Sequence, residues 1–421
     1  MELYNTLTRR VDALPPPPAP IRMYFCGPTV YARAHVGNAR PFVLGMWLRT
    51  WLRTRGYDAT LVHNITDIND RIYDAAPGAS AELALHATDW YLEDTGDLGL
   101  GMPDALPRAT DFVPQIVAFI EALVERGFAY PVEGDVYFRV GRDPEYGRLS
   151  GQRPGAVEEQ EPNPLKEDPR DFALWKATKP GEDTSWESPW GRGRPGWHIE
   201  CSVMAEEEFG PVFELHGGGL DLVFPHHENE LAQSRALGHE FAQLWMHNGM
   251  LAFTGEKMAK SVGNIVTLRE AIDRWGREPL LLYFMTGHWS KPLDFSEEAM
   301  EQARAQLDTF RDALVQDRRA DVDEGELAAA LEDDFNTPEA LAILHRWRST
   351  GGNEQLRRAL GLFGIEAARP EAPADLVRLA EERRRAREAG DFATADDVRR
   401  QVEAEGWEIR DRADGFDLVP K

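Results

Sequence analysis

The N-terminal part of the chain alternates between short apolar runs and a longer segment with helical spacing. Ile21–Cys26 is apolar and is bounded by Gly27-Pro28, which predicts a buried strand. Residues 41–52 repeat apolar side chains at helical intervals, and Ala59–Asn64 predicts a second strand. Strands that alternate with helices in this way predict an α/β fold built on a parallel sheet. In such a sheet the ligand crevice lies at the carboxyl ends of the strands.

The segment between the first strand and the helix consists mostly of small residues. It reads Ala34-His35-Val36-Gly37-Asn38-Ala39-Arg40. A strand, a tight turn and a helix start leave free backbone N–H groups and the positive end of the helix dipole facing one point. We therefore expect this turn to bind a phosphate group.

Composition divides the rest of the chain. Residues 1–20 end in the run Pro15–Pro18 and are expected to be an extended lead-in rather than a folded element. We expect an α/β domain over 21–295, a helical region over 296–366 and a small C-terminal domain over 371–421. Within the first of these, residues 111–195 are expected to be an insertion, with a helix over 111–127, a strand over 134–140 and an irregular stretch over 151–184.

Charge and cysteine content limit the possible environments. The net charge is −25, which argues against extensive coating of nucleic acid but leaves room for a local basic face. No apolar run reaches the roughly 18–20 residues of a membrane span, and no secretory signal is evident. With only two cysteines, a reducing cytoplasm is favoured over a disulfide-rich compartment. We expect a cytoplasmic protein without membrane contact.

Most of the candidate metal ligands lie between Gly196 and Glu230. This window holds Cys201, three histidines (His216, His226 and His227) and Glu230, while the other cysteine, Cys26, ends the first predicted strand. Thiolates, imidazoles and carboxylates are the ligands of zinc. His226 and Glu230 stand four apart and share one face if a helix begins there. Spacing alone does not separate His226 from His227, and two isolated cysteines are otherwise buried as small hydrophobic side chains.

Several motifs in order resemble cysteinyl-tRNA synthetase, a class I aminoacyl-tRNA synthetase family. They are Phe25-Cys26-Gly27-Pro28-Thr29-Val30-Tyr31, His35-Val36-Gly37-Asn38, Asn64-Ile65-Thr66-Asp67, Gly196-Trp197-His198-Ile199-Glu200-Cys201, His216-Gly217-Gly218-Gly219, Pro225-His226-His227-Glu228-Asn229-Glu230 and Lys257-Met258-Ala259-Lys260-Ser261. The resemblance implies a Rossmann-like parallel-sheet catalytic domain with an inserted connective segment, then a helical bundle, shortened in this chain, and a small C-terminal domain that binds the tRNA anticodon region.

The resemblance also implies a set of site residues. Cys26, Cys201, His226 and Glu230 are expected to hold one zinc ion per chain, with His227 left out. Zinc would select the substrate thiol over a serine hydroxyl, a difference that a pocket alone distinguishes by only about 1–3 kcal/mol, so we expect no editing domain. Cysteine or its adenylate is expected to lie among Gly27, Thr29, Thr66, Trp197, His216, Gly219 and Asp221. Trp197 has packing in the core as its alternative role, and Leu220 stands where a small polar residue is expected.

The nucleotide is expected to meet two motifs. His35, Gly37 and Asn38 match the family's His-Ile-Gly-His, with Asn38 in place of the second histidine. Lys257 and Lys260 match Lys-Met-Ser-Lys-Ser within a loop region over 250–295, and Lys260 is the main candidate for binding ATP, together with Mg²⁺. Lysines placed there neutralise charge that develops on the phosphates as pyrophosphate leaves.

The acceptor is the part that the residues constrain least. The resemblance implies tRNA(Cys), L-cysteine and ATP as partners of a monomer. The arginines between Arg383 and Arg400 are expected to meet tRNA phosphates, or else to pair with neighbouring carboxylates on a solvated helix. Two alternatives stay open: a ligase of the mycothiol-pathway type, which passes activated cysteine to a small amine, and a non-catalytic paralogue that binds zinc or RNA.

Overall fold

The computed structural model describes residues 1–152, 162–253, 256–257, 266–316, 318–368, 372–412 and 415–420, with backbone alone at 256–257, 412 and 419–420. Their strands are β1 (Glu2–Asn5), β2 (Arg10–Ala13), β3 (Pro20–Phe25), β4 (Asp58–His63), β5 (Ala129–Val132), β6 (Asp135–Phe138), β7 (Phe172–Ala177), β8 (Gly193–Pro195), β9 (Val212–Gly219), β10 (Phe241–Asn248), β11 (Leu251–Phe253), β12 (Glu256–Lys257), β13 (Leu293–Phe295), β14 (Trp407–Arg412) and β15 (Gly415–Pro420).

Helices connect these strands and make up most of the C-terminal third. They are α1 (Val36–Thr54), α2 (Asp70–Ala75), α3 (Ser80–Gly96), α4 (Val113–Glu125), α5 (Trp197–Phe209), α6 (Glu228–Ala236), α7 (Leu268–Trp275), α8 (Arg277–Met285), α9 (Glu297–Val315), α10 (Glu324–Glu332), α11 (Thr337–Thr350), α12 (Asn353–Leu362), α13 (Ala374–Glu388) and α14 (Phe392–Ala404). Among the described residues, no helix combines the length and the apolar character needed to cross a bilayer.

The central sheet confirms the predicted fold class. It has four strands in the order β10-β9-β3-β4, and every neighbouring pair is parallel. Because parallel strands need crossover connections, α1 links β3 to β4, and the long segment containing α4 and α5 lies between β4 and β9. All four strands therefore end at one edge of the sheet, where the predicted motifs follow them.

Side-chain alternation along β3 determines what each face of the sheet contacts. Met23 and Phe25 belong to the apolar core that includes residues of α1 and α8. Tyr24 and Cys26 belong to the opposite core, which includes residues of α4, α5 and α6. Because successive residues of a strand point to opposite faces, Cys26 is directed toward the same core as Cys201 of α5.

The expectation that residues 1–20 are not a folded element is wrong. β1 and β2 form an antiparallel hairpin with the register Glu2↔Ala13, and Leu3 is fully buried. The hairpin lies along the exposed edge of β10, where the Thr6 backbone N–H donates to the Trp245 carbonyl at 2.9 Å. The prediction of an extended lead-in rested on the proline run at 15–18, but the paired strands end at Ala13, before that run begins.

The predicted insertion contains an antiparallel sheet in the order β5-β6-β7-β8. The helix expected over 111–127 is α4, and a short 3₁₀ turn at Ala109–Phe112 precedes it. The strand expected over 134–140 is β6. The stretch expected to be irregular contains the ordered strand β7, whose side chains from Phe172 to Trp175 are buried. Part of that stretch, residues 153–161, lies outside the described residues.

Helices α9 to α12 follow the catalytic region, and a small unit with its own core ends the chain. That core consists of Leu376, Ala380, Val398, Val402 and Ile409. The C-terminal domain expected over 371–421 contains two helices, α13 and α14. They are separated at Gly390, whose positive φ of 76° favours glycine and interrupts a helix. The domain boundaries given above stay predictions.

Candidate active site

A cavity of about 270 Å³ opens at the carboxyl ends of the parallel strands. Its lining includes nine of the residues expected to bind substrate, nucleotide or metal: Cys26, Gly27, Thr29, His35, Gly37, Asn38, Trp197, Gly219 and Asp221. Five others, Cys201, His226, Glu230, His216 and Thr66, are buried, and none of them is part of that lining. Lys257 is described only by its backbone in β12, and Lys260 lies outside the described residues.

A buried cluster of side chains that could hold a metal ion adjoins this cavity through Cys26. Ligand atoms of Cys26, His226, His227 and Glu230 all lie within 4.8 Å of one another. Glu230 Oε1 is 3.0 Å from His226 Nε2 and 3.9 Å from Cys26 Sγ. His227 Nε2 is 3.3 Å from the same sulfur. The sequence left His226 and His227 unseparated, and the structure brings both into the cluster.

Cys201 lies against the cluster. Its side chain is buried, and its thiol is hydrogen-bonded to that of Cys26. This hydrogen bond lowers the pKa of Cys201, but burial and the nearby Glu230 raise it by more. Burial also raises the pKa of Cys26 well above its usual value, and Cys201 and Glu230 raise it further. Two thiols and a carboxyl in one dry site are stable as anions only beside a cation.

The donor chemistry of the cluster fits a thiophilic divalent cation. Burial lowers the pKa of His226 and of His227 well below 6.5, so both imidazoles are neutral at neutral pH and each ring has a lone pair that a metal ion can use. Sulfur, imidazole nitrogen and carboxylate oxygen together are the donor set of zinc. The cluster is therefore compatible with a metal site.

Two histidines that the sequence reasoning did not select are hydrogen-bonded to the histidines of the cluster. His198 Nδ1 is hydrogen-bonded to His226 Nδ1 at 3.0 Å, which leaves His226 Nε2 facing Glu230. His247 Nε2 is hydrogen-bonded to His227 Nδ1 at 2.7 Å, and His247 Nδ1 to the Thr6 hydroxyl at 2.8 Å. Such contacts fix ring orientation and tautomer at metal sites. Their only sequence signal was position, at the start of α5 and the end of β10.

Trp197 forms one wall of the cavity beside the cluster. Its ring stacks on His226 with centroids 4.2 Å apart and an interplanar angle of 17°. Trp197 also lines the cavity, so part of its surface faces the space that a ligand would fill. Trp197 therefore packs against the cluster and also lines the cavity, and its role in substrate binding stays a prediction.

His216 and Thr66 are buried and contact residues of the site without lining the cavity. His216 Nε2 is hydrogen-bonded to Glu230 Oε2 at 2.8 Å, and its ring stacks on Trp245. Asn64 donates from Nδ2 to the Thr66 hydroxyl at 3.2 Å and accepts from the Gly27 N–H at 2.9 Å. The Val30 N–H donates to the Thr66 carbonyl at 3.1 Å. Thr66 therefore fixes the segment that follows Cys26.

The turn at the start of α1, where a phosphate site is predicted, also lines the cavity. His35 precedes the first turn of α1, and the His35 N–H donates to Asn38 Oδ1 at 3.2 Å. A Cβ at Gly37 would lie 2.9 Å from the His35 ring, so only glycine allows this close approach. The Val36 N–H donates to the Val266 carbonyl at 3.0 Å, which joins this turn to the segment that follows the Lys257–Ser261 motif.

An ion-pair network anchors the segment before the turn at the start of α1. The Asp94 carboxylate of α3 has no exposed surface and pairs with Arg33 at 2.9 Å and with Arg269 at 3.2 Å. Arg33 belongs to the segment before the His35 turn, and Arg269 belongs to α7. One buried carboxylate therefore holds both segments that flank the predicted nucleotide motifs.

Comparison with known proteins gives the family. Residues 15–305 match the model described as the tRNA synthetases class I (C) catalytic domain, and residues 326–349 match the DALR domain. The chain is 40% identical to a cysteine–tRNA ligase of Brevibacillus brevis over 99% of this chain and 98% of the relative. It is 42% identical to a cysteine–tRNA ligase of Paramagnetospirillum magneticum, covering 98% of each.

Solved structures agree at the level of the fold. Mycobacterium tuberculosis methionyl-tRNA synthetase in complex with methionyl-adenylate superposes with a TM-score of 0.57 at 15% identity, covering 91% of this chain and 89% of that one. A putative arginyl-tRNA synthetase from Campylobacter jejuni gives a TM-score of 0.57 at 14% identity, covering 82% and 93%. With a family model that spans most of the chain and relatives about 40% identical over nearly all of it, the chain belongs to the cysteine–tRNA ligase family of class I aminoacyl-tRNA synthetases.

Proposed function

We propose that this protein activates L-cysteine with ATP and transfers the cysteinyl group to tRNA(Cys). In the first step a carboxylate oxygen of cysteine attacks the α-phosphorus of ATP, and pyrophosphate leaves. In the second step a ribose hydroxyl of the terminal adenosine of the tRNA attacks the carbonyl carbon of cysteinyl-adenylate, and AMP leaves. The observation that carries the proposal is the buried thiol, imidazole and carboxylate cluster that Cys26 connects to the cavity, in a chain related over its whole length to cysteine–tRNA ligases.

We assign Cys26, Cys201, His226 and Glu230 as the residues that hold one zinc ion. Bound there, zinc supplies a thiophilic Lewis acid that favours a thiol over a hydroxyl at the cavity. His227, which His247 holds from behind, is assigned as a hydrogen-bond donor to the Cys26 sulfur, at 3.3 Å. His216 orients Glu230 through its 2.8 Å contact with the carboxylate.

The amino acid is assigned to the end of the cavity beside the cluster. Gly27 and Thr29 line the cavity. Backbone hydrogen bonds that join Thr66 to Pro28 and Val30 hold the residues on either side of Thr29, and Asn64 Oδ1 accepts from the Gly27 N–H. Trp197 covers His226 and excludes water from the neighbouring space. Gly219 and Asp221 also line the cavity, and we assign them to the amino acid and the ribose of the adenylate. An aspartate carboxylate accepts hydrogen bonds from an ammonium or a hydroxyl.

The nucleotide is assigned to the end formed by the first turn of α1. His35 and Asn38 donate hydrogen bonds to ATP oxygens, and Gly37 lets the backbone approach the phosphates. We assign Lys257 and Lys260 to the negative charge that develops as pyrophosphate leaves, with Mg²⁺ on the phosphates. Catalysis on this assignment is positioning and electrostatic stabilisation, with no covalent enzyme intermediate.

The experiment compares substrates at both steps with the purified protein. Pyrophosphate exchange should depend on cysteine and should fall to background with serine. Charging should be restricted to tRNA(Cys) among a panel of tRNA transcripts. Equal activation of serine would contradict the metal-selection part of the proposal. Amide formation with glucosaminyl-inositol in place of tRNA charging would instead support the small-amine ligase, and absence of exchange would support a non-catalytic protein.

A further inference from the structure

The turn that follows β10 brings an amide with an unused acceptor to the cavity. Asn248 is the last residue of β10, lies beside Gly219 of β9 in the sheet register, and is 3% exposed. Together with Gly249, Met250 and Leu251 it lines the cavity that His35 and Gly37 also line. Among the described residues, Asn248 Oδ1 has no hydrogen-bond partner although it is buried. A buried acceptor of this kind normally has a donor.

The orientation of this amide is fixed by its neighbour. Asn248 Nδ2 donates to the Gly249 carbonyl at 3.2 Å. Reversing the amide would put Oδ1 against that carbonyl oxygen, so two acceptors would face each other. Oδ1 is therefore the side-chain atom left without a partner, on a residue that lines the cavity.

A buried arginine holds the carbonyl on which this orientation depends. Arg40 of α1 is 4% exposed, and its Nη1 donates to the Gly249 carbonyl at 2.5 Å. Its Nη2 donates to the His288 carbonyl at 3.1 Å. Burial lowers the pKa of Arg40 to about 10, so the side chain is still a cation at neutral pH. The Gly249 N–H in turn donates to the Trp289 carbonyl at 2.9 Å, so both backbone polar groups of the turn are held.

We propose that Asn248 is a nucleotide-binding residue whose Oδ1 accepts a hydrogen bond from the exocyclic amino group of adenine, and that Arg40 is its positioning residue. The inference rests on the proposed function, since it concerns the ATP of the same reaction. An acceptor with fixed orientation favours adenine over a purine with a 6-oxo group, because the oxo group is itself an acceptor and leaves both oxygens unsatisfied. A ribose hydroxyl is the other donor of adenosine that could meet this atom.

The test measures cysteine-dependent pyrophosphate exchange with ATP, inosine triphosphate and 2′-deoxy-ATP. Inosine triphosphate replaces the 6-amino group by oxygen, and 2′-deoxy-ATP removes a ribose donor. Wild type should prefer ATP to inosine triphosphate by about tenfold or more. Asn248→Ala should raise the KM for ATP by a similar factor, leave the KM for inosine triphosphate nearly unchanged and leave the KM for cysteine unchanged. Arg40→Lys should reduce the same preference, because a single ammonium replaces the fork that holds two carbonyls.

The outcomes separate this inference from the proposed function. Asn163→Ala, in the insertion and away from the cavity, is the matched control and should keep the full preference for ATP. The base contact would be overturned if Asn248→Ala raised the KM for ATP and the KM for inosine triphosphate equally. It would also be overturned if 2′-deoxy-ATP with wild type showed the same rise in KM as ATP with Asn248→Ala. Either result leaves cysteine activation intact. If wild type shows no exchange, the proposed function fails, and calorimetric binding of ATP and inosine triphosphate to wild type and Asn248→Ala decides the base contact alone.

Discussion

Replacing Cys201 by serine and His227 by glutamine separates two ways in which the buried cluster can hold a metal ion. Five donors surround the site, whereas a zinc ion with a position open for substrate takes three or four from the protein. The ligand atoms of Cys26, His226, His227 and Glu230 are mutually closest. The proposed set contains Cys201 in place of His227. The two variants are therefore predicted to behave differently.

The magnitudes follow from how each side chain is held. Both ring nitrogens of His227 have partners, His247 at 2.7 Å and Cys26 at 3.3 Å, so its loss should weaken metal binding by roughly 10–100-fold, as for a group that orients a ligand. Zinc binding of about 10–16 kcal/mol shared among four ligands is about 3 kcal/mol each. Losing Cys201 should therefore weaken binding by more than 100-fold.

Cobalt substitution gives a readout that does not depend on activity. The intensity of the thiolate-to-cobalt charge-transfer absorption counts the coordinated sulfurs. We expect Cys201→Ser to halve it and His227→Gln to leave it unchanged, with Cys26→Ser as the control that also halves it. Affinities come from competition with a chelator. Full charge-transfer intensity in Cys201→Ser, together with metal loss in His227→Gln, would refute the proposed set in favour of the four closest donors.

Two further predictions concern the segments beside the cluster. Gly27→Ala should lower the free energy of unfolding by about 1–3 kcal/mol and raise the KM for cysteine, because its Cβ would lie 1.7 Å from the Asn64 carbonyl oxygen. Gly361→Ala is the control and should lose no stability, because a Cβ there meets nothing within 4 Å. Burial lowers the pKa of His63 to about 4 from 6.5, so the unfolded chain takes up its proton first as the pH falls. The contribution of His63 to the free energy of unfolding should therefore be fully present above pH 6.5 and should fall by about 3 kcal/mol between pH 6.5 and 4. Denaturant unfolding of wild type and His63→Gln at pH 7 and 4.5 measures this, and parallel pH dependence in the two proteins would contradict it.

Local patterns were sufficient to predict the sheet and its ligand edge. The apolar run before Gly27-Pro28 and the small residues around Gly37 determine a strand, a turn and a helix start without help from distant residues. Both were found as predicted, as β3 and the beginning of α1. The meeting of Cys26 with the region around His226 was also expected, although from the resemblance and not from spacing.

The residues that support the cluster could not be found in this way. His198 and His247 contact it only because α5 and β10 pack beside the turn at His226, which depends on the whole fold. Asn248 and Arg40 are far apart in sequence and meet through one backbone carbonyl. A single polar residue at a strand end or within a helix carries no local signal for such a partner. Lys260, which the resemblance selects for ATP, lies outside the described residues and stays a prediction.

The N-terminal hairpin, which the sequence reasoning set aside, belongs to the scaffold of the cluster. Asn5 Oδ1 accepts from the Trp245 N–H at 3.1 Å, so the end of β1 is attached to the edge of β10. The Thr6 hydroxyl beside it contacts His247 Nδ1, and this contact fixes which nitrogen of His247 faces His227. Because His227 faces the Cys26 sulfur, a chain of hydrogen bonds runs from the hairpin to a proposed metal ligand. A truncated protein that starts at β3 would keep every proposed metal ligand. It would lose the Thr6 hydroxyl, which orients His247 and through it His227.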